Sequence, residues 1–240
     1  MSVYVGADVV TSGLVLHLDA ANSKSYPGSG TTWTDLSGLG NHGTLVNGPT
    51  YSASNGGSIV FDGTNDYVTV PHSTSLNITG NTITIEAIFK TSYDPGIGVY
   101  PALLAKRYSY GVNNGAYGLW IDNATGNRKN LFVVCTAGAE TSVGGIIRVN
   151  DNTFHYVTCV YDGTNLSFYN NGVLSSQTAL SGNILTQNQP ILIGTGVVGG
   201  VINSTYYYRD SMYLYRIYNS ALSADEVAQN FEANRGRYGL

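Results

Sequence analysis

Apolar and polar residues alternate along most of this chain, and the alternation predicts its elements. In TITIEAIFK, Ile83, Ile85, Ala87 and Phe89 fall on one side while Thr82, Thr84, Glu86 and Lys90 share the other. That is the period-two mark of a strand with one buried and one wet face. GLVLHLDA places Leu14, Leu16 and Leu18 together, and NLSFYNNGVL alternates through Leu166 and Phe168 before Asn171-Gly172, a pair that favours a type I′ hairpin. Near the end the period changes. Ser223 stands three residues before Glu226, the spacing of a capping box, and Leu222, Val227 and Phe231 form one helical stripe that runs until Gly236. With thirty glycines and nineteen tyrosines, the pattern predicts an all-β protein of short antiparallel strands and tight turns, closed by a short C-terminal helix. No Pro-rich or charged linker divides the 240 residues, so one domain is expected over 13–234, with an N-terminal arm at 1–12 and a C-terminal tail at 235–240.

Composition narrows the function classes. Charged residues make up 11% of the chain, against about 25% in ordinary globular proteins, so polar side chains and tyrosine hydroxyls must keep the surface wet. The net charge is −4 and the basic residues form no run, which excludes a nucleic-acid partner. The longest nearly apolar run, ILIGTGVVGGVI, is broken by glycines and spans about half the length a bilayer requires, so no membrane anchor is expected. No Lys or Arg precedes Lys24, so the charged start of a secretory signal is lacking and synthesis in a cytoplasm is expected. Cys135 and Cys159 each lie in a β-like run, where buried thiols are the plain reading and a disulfide the alternative.

One motif occurs twice. FDGTNDYV, at 61–68, and YDGTNLSF, at 161–168, share an aromatic residue followed by DGTN, but the first has Asp66 where the second has Leu166. The second copy is explained as a hairpin turn, with Asp bonding its own backbone and Gly at positive φ. In the first copy, Asp62 and Asp66 are candidate ligands for Ca²⁺, which takes six to eight oxygens, with Asp210 a more distant contributor. The turn reading and the calcium reading both stand for that copy. Aromatic rings stack on sugar faces, so Tyr206, Tyr207 and Tyr208 in STYYYRD, with Tyr108 and Tyr110 in KRYSYG, are candidates for a glycan groove or for a subunit contact. Glu86 is the one glutamate on a clear strand and has no partner carboxylate on its face, so no glycosidase pair follows. His17, His42, His72 and His155 are scattered singly, without metal-ligand spacing.

Several stretches together carry a family resemblance. GLVLHLDAANSKSYPGSGTTWTDLSGLGNHGTLVNGPTY, GGSIVFDGTNDYVTV, TIEAIFK, FHYVTCVYDGTNLSFYNNGVL and LYRIYNSALSADEVAQNF resemble, in order and spacing, the laminin-G-like, concanavalin A-like lectin-glucanase jelly-roll domains. The resemblance runs from about Gly13 to Phe231 and is strongest to versions found in virion proteins of tailed bacteriophages. It implies a two-sheet antiparallel jelly-roll sandwich. It also implies that His42 supports its turn, and that calcium, where bound, sits near the sheet rim with an acid from a late strand. Here Tyr213 and Leu214 stand where such acids occur.

Fold does not fix function. The expectation is a non-enzymatic virion structural protein, a capsid decoration or fibre-type component at the virion surface. Its partners would be other virion proteins, copies of itself, or cell-surface and environmental glycans. The alternative is a calcium-assisted carbohydrate-binding module.

Overall fold

The structure, a computed structural model, describes residues 8–124, 126 and 128–240. The strands begin with β1 (Leu14–Asp19), β2 (Thr32–Trp33), β3 (Gly43–Val46), β4 (Thr50–Ser52), β5 (Ser58–Asp62) and β6 (Tyr67–Val70). Next come β7 (Ile83–Lys90), β8 (Ala102–Arg107), β9 (Gly115–Asp122), β10 (Lys129–Thr136), β11 (Ala139–Arg148) and β12 (His155–Tyr161). The last group is β13 (Asn165–Asn170), β14 (Val173–Ala179), β15 (Ile191–Ile193), β16 (Val197–Val198), β17 (Val201–Ile202) and β18 (Arg209–Tyr218), followed by helix α1 (Ala224–Tyr238).

These form two eight-stranded antiparallel sheets. One runs β14-β13-β12-β7-β18-β5-β4, with β1 also paired to β18; the other runs β11-β10-β9-β8-β15-β6-β3-β2. Strands β16 and β17 make a small separate hairpin. The period-two patterns place Ile83, Ile85, Ala87 and Phe89 of the first sheet in one core with Leu103, Leu119, Phe132 and Val134 of the second. The result is the sandwich expected from the sequence. Asn171 (φ 49°) and Gly172 (φ 76°) supply the positive angles of the predicted hairpin between β13 and β14. A Cβ on Gly172 would come within 3.0 Å of Phe231, so the bare turn also seats α1. Cys135 on β10 and Cys159 on β12 are buried free thiols in different sheets, and the disulfide alternative falls.

The polar side of β7 is where the structure departs from the expectation. It is dry rather than wet: Thr84 is fully buried under the segment before α1, where it bonds the Ser220 carbonyl and the Leu222 N–H, and Glu86 is fully buried under α1 itself. Glu86 Oε1 accepts from the Tyr156 hydroxyl at 2.9 Å and from Asn230 Nδ2 of α1 at 3.1 Å. Its Oε2 accepts from Arg216 Nη1 at 3.2 Å, directly across the β7–β18 ladder. Arg216 Nη2 then donates to Asn234 Oδ1 at 3.3 Å. A charge taken out of water must be paired and hydrogen-bonded, and here the partners come from two strands and the helix.

The capping box forms as predicted, with Ser223 and Glu226 satisfying each other's backbone donors. The helix passes through Gly236 and ends at Tyr238, with Gly239 as its left-handed cap (φ 68°), so the boundary placed at 234 falls inside it. Residues 235–240 are therefore not a free tail: Tyr238 is buried against Phe154 and Tyr213, and Arg237 Nη1 donates to Asp19 Oδ2 at 2.7 Å. The arm is also held where it is described. The Val10 N–H donates to Asn230 Oδ1 at 2.8 Å, and the Val10 carbonyl accepts from the Tyr218 hydroxyl at 3.1 Å. Its first seven residues lie outside the described residues.

Two stability predictions follow from this covered face. Replacing Arg216 with Met strands the Glu86 carboxylate and is expected to cost about 3–5 kcal/mol, whereas Glu86→Leu with Arg216→Met costs less than the single change. Equal losses for the single and double variants in chemical denaturation would refute the network's role. The second concerns His17, opposite Arg216 on β1. Burial first, then the charges of Arg216 and Arg237, lowers its pKa from 6.5 to about 3. The folded imidazole stays neutral while the unfolded one takes a proton, so stability is lost as pH falls from 6.5 toward about 3. Between about pH 6 and 5, above the carboxylate range, His17 contributes a slope approaching 1.4 kcal/mol per pH unit. The variant His17→Leu should lack that component, and identical slopes in the two proteins would contradict it.

Candidate functional site

On the outer face of the second sheet, the four neighbouring strands β8 to β11 build a groove. Alternation sends Tyr117, Leu119, Ile121, Phe132 and Val134 inward and leaves Trp120, Leu131 and Val133 pointing out. A short turn at Ser204–Tyr206, capped by the Asn203 side chain accepting the Thr205 N–H at 2.9 Å, lays Tyr206 against Trp120. Their ring centroids are 5.1 Å apart at 70°, an edge-to-face pair. Bare backbone makes room for the indole: a Cβ on Gly196 would come within 2.6 Å of Trp120 Cη2. Trp120 is 4% exposed, so it forms a floor rather than an open platform. Tyr100, Tyr110 and Tyr206 provide the accessible aromatic surface around a cleft of about 380 Å³.

The polar groups of the cleft are few and oriented. The Arg107 guanidinium carbon lies 5.2 Å from the Trp120 ring centroid, and Arg107 Nε donates to the Ser109 carbonyl at 2.7 Å. Arg107 Nη2 is 3.7 Å from Glu140 Oε2. That oxygen accepts the Gly111 N–H at 2.8 Å, which ties the loop carrying Tyr108 and Tyr110 to β11. Burial, with the Glu140 charge adding, pushes the neighbouring Cys135 thiol up to about 12, so it is no nucleophile at neutral pH. Burial likewise raises the Tyr206 hydroxyl above its ordinary value. An apolar floor, aromatic walls, one cationic donor and one anionic acceptor suit binding of a polyhydroxylated ligand.

The structure separates the five candidate tyrosines. Tyr110 and Tyr206 meet in the groove. Tyr108 stands exposed at its rim, where its carbonyl accepts the Gly200 N–H at 2.8 Å. Tyr207 is half-buried elsewhere, near Tyr67 and Asp62. Tyr208 corrects the expectation of a contact residue: it is fully buried in the core against Phe61 and Phe89, with its hydroxyl donating to the Lys90 carbonyl at 3.0 Å. The groove also contains Tyr100, Arg107, Trp120, Leu131, Val133 and Glu140, which the sequence reading did not select. The one available signal was the outward register of Trp120, set against inward Leu119 and Ile121.

The two DGTN copies prove to be the same turn. Asp62 Oδ1 accepts from the N–H groups of Thr64 and Asn65 at 2.7 and 3.3 Å, as Asp162 Oδ1 does from Thr164 and Asn165 at 2.8 and 2.7 Å. Asp66 closes the first loop, its Oδ2 accepting the Asp62 N–H at 3.1 Å. Burial, aided by the Asp62 charge, raises the Asp66 pKa; at Asp62 burial opposes, yet the backbone donors hold the carboxyl below its ordinary range. Asp210 accepts from Thr91 and Ser92 at 3.0 and 2.8 Å. One oxygen of each carboxylate is thereby committed to N–H or O–H donors, and no group of three or more His, Cys, Asp or Glu gathers among the described residues. Glu86 is sealed beneath α1, away from any substrate. His42 Nδ1 accepts the Asp35 N–H at 3.1 Å and so braces its turn.

A family model described as the Concanavalin A-like lectin/glucanases superfamily matches residues 62–228. No curated protein matches the sequence. Among solved structures, the binding domain of Paraclostridial Mosquitocidal Protein 1 superposes with a TM-score of 0.70 at 15% identity, covering 91% of this chain and 52% of that one. The binding domain of Botulinum Neurotoxin DC in complex with SialylT gives 0.68 at 14%, covering 92% and 51%. Domain 4 of AbnA, a GH43 extracellular arabinanase from Geobacillus stearothermophilus, in complex with arabinotriose, gives 0.65 at 13%, covering 92% and 98%. The chain thus spans about half of the two toxin binding domains and nearly all of the arabinanase domain. At these identities the likeness is one of fold.

Proposed function

The chain belongs to the concanavalin A-like lectin/glucanase superfamily, and from that premise we propose that it is a non-enzymatic glycan-binding module whose ligand lies in the groove floored by Trp120. The observation that carries this reading is the groove itself, with three accessible tyrosines around one guanidinium and one carboxylate. The arabinanase domain with arabinotriose, of which the chain covers 98%, supports it by analogy of fold. A single carboxylate, Glu140, lines the groove among the described residues, which leaves a glycosidase without its pair. Asp62, Asp66 and Asp210 do not line this groove, so the reading assigns calcium no part in the binding step. Tyr206→Ala and Tyr110→Ala should each weaken glycan binding roughly tenfold, about 1.4 kcal/mol of lost stacking. Tyr207→Ala and added EDTA should leave it unchanged. A glycan array followed by calorimetry checks this; loss in Tyr207→Ala with retention in Tyr206→Ala would move the site.

We further propose that the module is displayed on a tailed-phage particle, beside other virion proteins or copies of itself. Resemblance to virion-borne domains supports this placement. So does edge strand β14, which carries no charged side chain and exposes Val173 and Leu174 (70% and 50%), where isolated proteins usually place charge to block pairing. Mass spectrometry and imaging of purified particles should find the chain in many exterior copies; its absence from particles would overturn the placement.

A further inference from the structure

We propose that Glu140 makes the groove selective for uncharged glycans and against those bearing carboxylates. This rests on the glycan reading above and adds the charge class of the ligand. Among the described residues lining the groove, Arg107 and Glu140 are the two ionised side chains, and they are presented unequally. The Arg107 side chain is 10% exposed and that of Glu140 27%. Arg107 lies against the Trp120 ring with its Nε on the Ser109 carbonyl, and its Nη2 is sealed from solvent without a hydrogen-bond partner. Glu140 stands on edge strand β11, and its Oε1 accepts no hydrogen bond among the described residues.

An arriving ligand therefore meets the negative charge first. The deeper positive charge is offset by Glu140 at 3.7 Å. A neutral sugar can donate a hydroxyl to the carboxylate, forming a charge-assisted bond. Among the described residues lining the groove, an acidic sugar finds no cation but the offset Arg107 and must approach a like charge. Two like charges about 6 Å apart in a half-buried setting repel strongly enough to weaken binding roughly tenfold.

Glu140→Gln tests the idea with little risk to folding, because the amide keeps its size and an acceptor for the Gly111 N–H. It removes the negative charge and leaves Arg107 unopposed. The probes are matched pairs: oligosaccharides with and without a terminal sialic acid, and oligogalacturonates with and without methyl esters. The wild-type protein should bind the neutral member at least tenfold more tightly than its acidic partner. In Glu140→Gln the acidic member should gain about tenfold at low salt, with the gain shrinking as salt screens the groove. Wild-type binding that ignores the charge, or an unchanged preference in Glu140→Gln, overturns this inference while leaving the glycan reading intact. No binding to any probe by either folded protein, as judged by thermal denaturation, overturns both.

Discussion

The buried pair of Glu86 and Arg216 is the constraint around which this fold is arranged. Its members sit opposite each other on the two central strands of one sheet, 3.2 Å apart and almost without exposure. Neither charge could remain there unless the other and a set of polar partners stayed in place. Those partners are Tyr156 from a neighbouring strand and Asn230 and Asn234 from α1. The helix is thereby held in one register on the sheet. The same helix anchors Val10 through Asn230 and Asp19 through Arg237, so both described chain ends are fastened to that face.

Closing one outer face gives the two sheets different roles. The central strands of the first sheet are covered on both sides, by the sandwich core and by α1. On the second, the outer surface carries Trp120, Leu131 and Val133 as a small apolar cluster completed by Tyr206 from a distant turn. Such a floor takes shape because glycines at 118 and 196 leave space for the indole. Loops then raise the walls: the segment after β8 brings Tyr110, and the segment before it brings Tyr100, whose N–H donates to the Thr205 carbonyl at 3.3 Å. The rigid sheet positions the floor and the loops determine what it meets, a common division of labour in binding proteins.

The sandwich was legible in the sequence because local signals agree: the alternation in TITIEAIFK, the Asn171-Gly172 turn and the Ser223 capping box all reappear. The fate of Glu86 was not legible, since period-two alternation reports which residues are polar and says nothing of what covers them. Helix α1 hid its role in the same way. Its apolar stripe at Val227 and Phe231 was visible, but its buried side also includes Asn230 and Asn234, which look like surface residues until their partners on the sheet are known. For the groove, proximity in the chain was a poor guide. Three consecutive tyrosines at 206–208 go to the groove, to a separate half-buried site and to the core, while Arg107, Trp120 and Glu140 converge from three strands.

Two ion pairs in the same molecule show how setting decides what a charge can do. Glu86 and Arg216 are sealed, bonded to each other and to neighbouring side chains, and closed to any ligand. Arg107 and Glu140 are farther apart at 3.7 Å, unequal in exposure, and placed beside aromatic rings at an open cleft. The first pair resists separation because each charge would be left in a medium that cannot solvate it. The second can exchange part of its interaction for a ligand hydroxyl, because solvent already reaches Glu140 and the Oε2 contacts hold the side chain in position while Oε1 stays unbonded among the described residues. Chemistry available to a ligand therefore lies with the looser pair, although the tighter one stands on the strand with the stronger sequence signal.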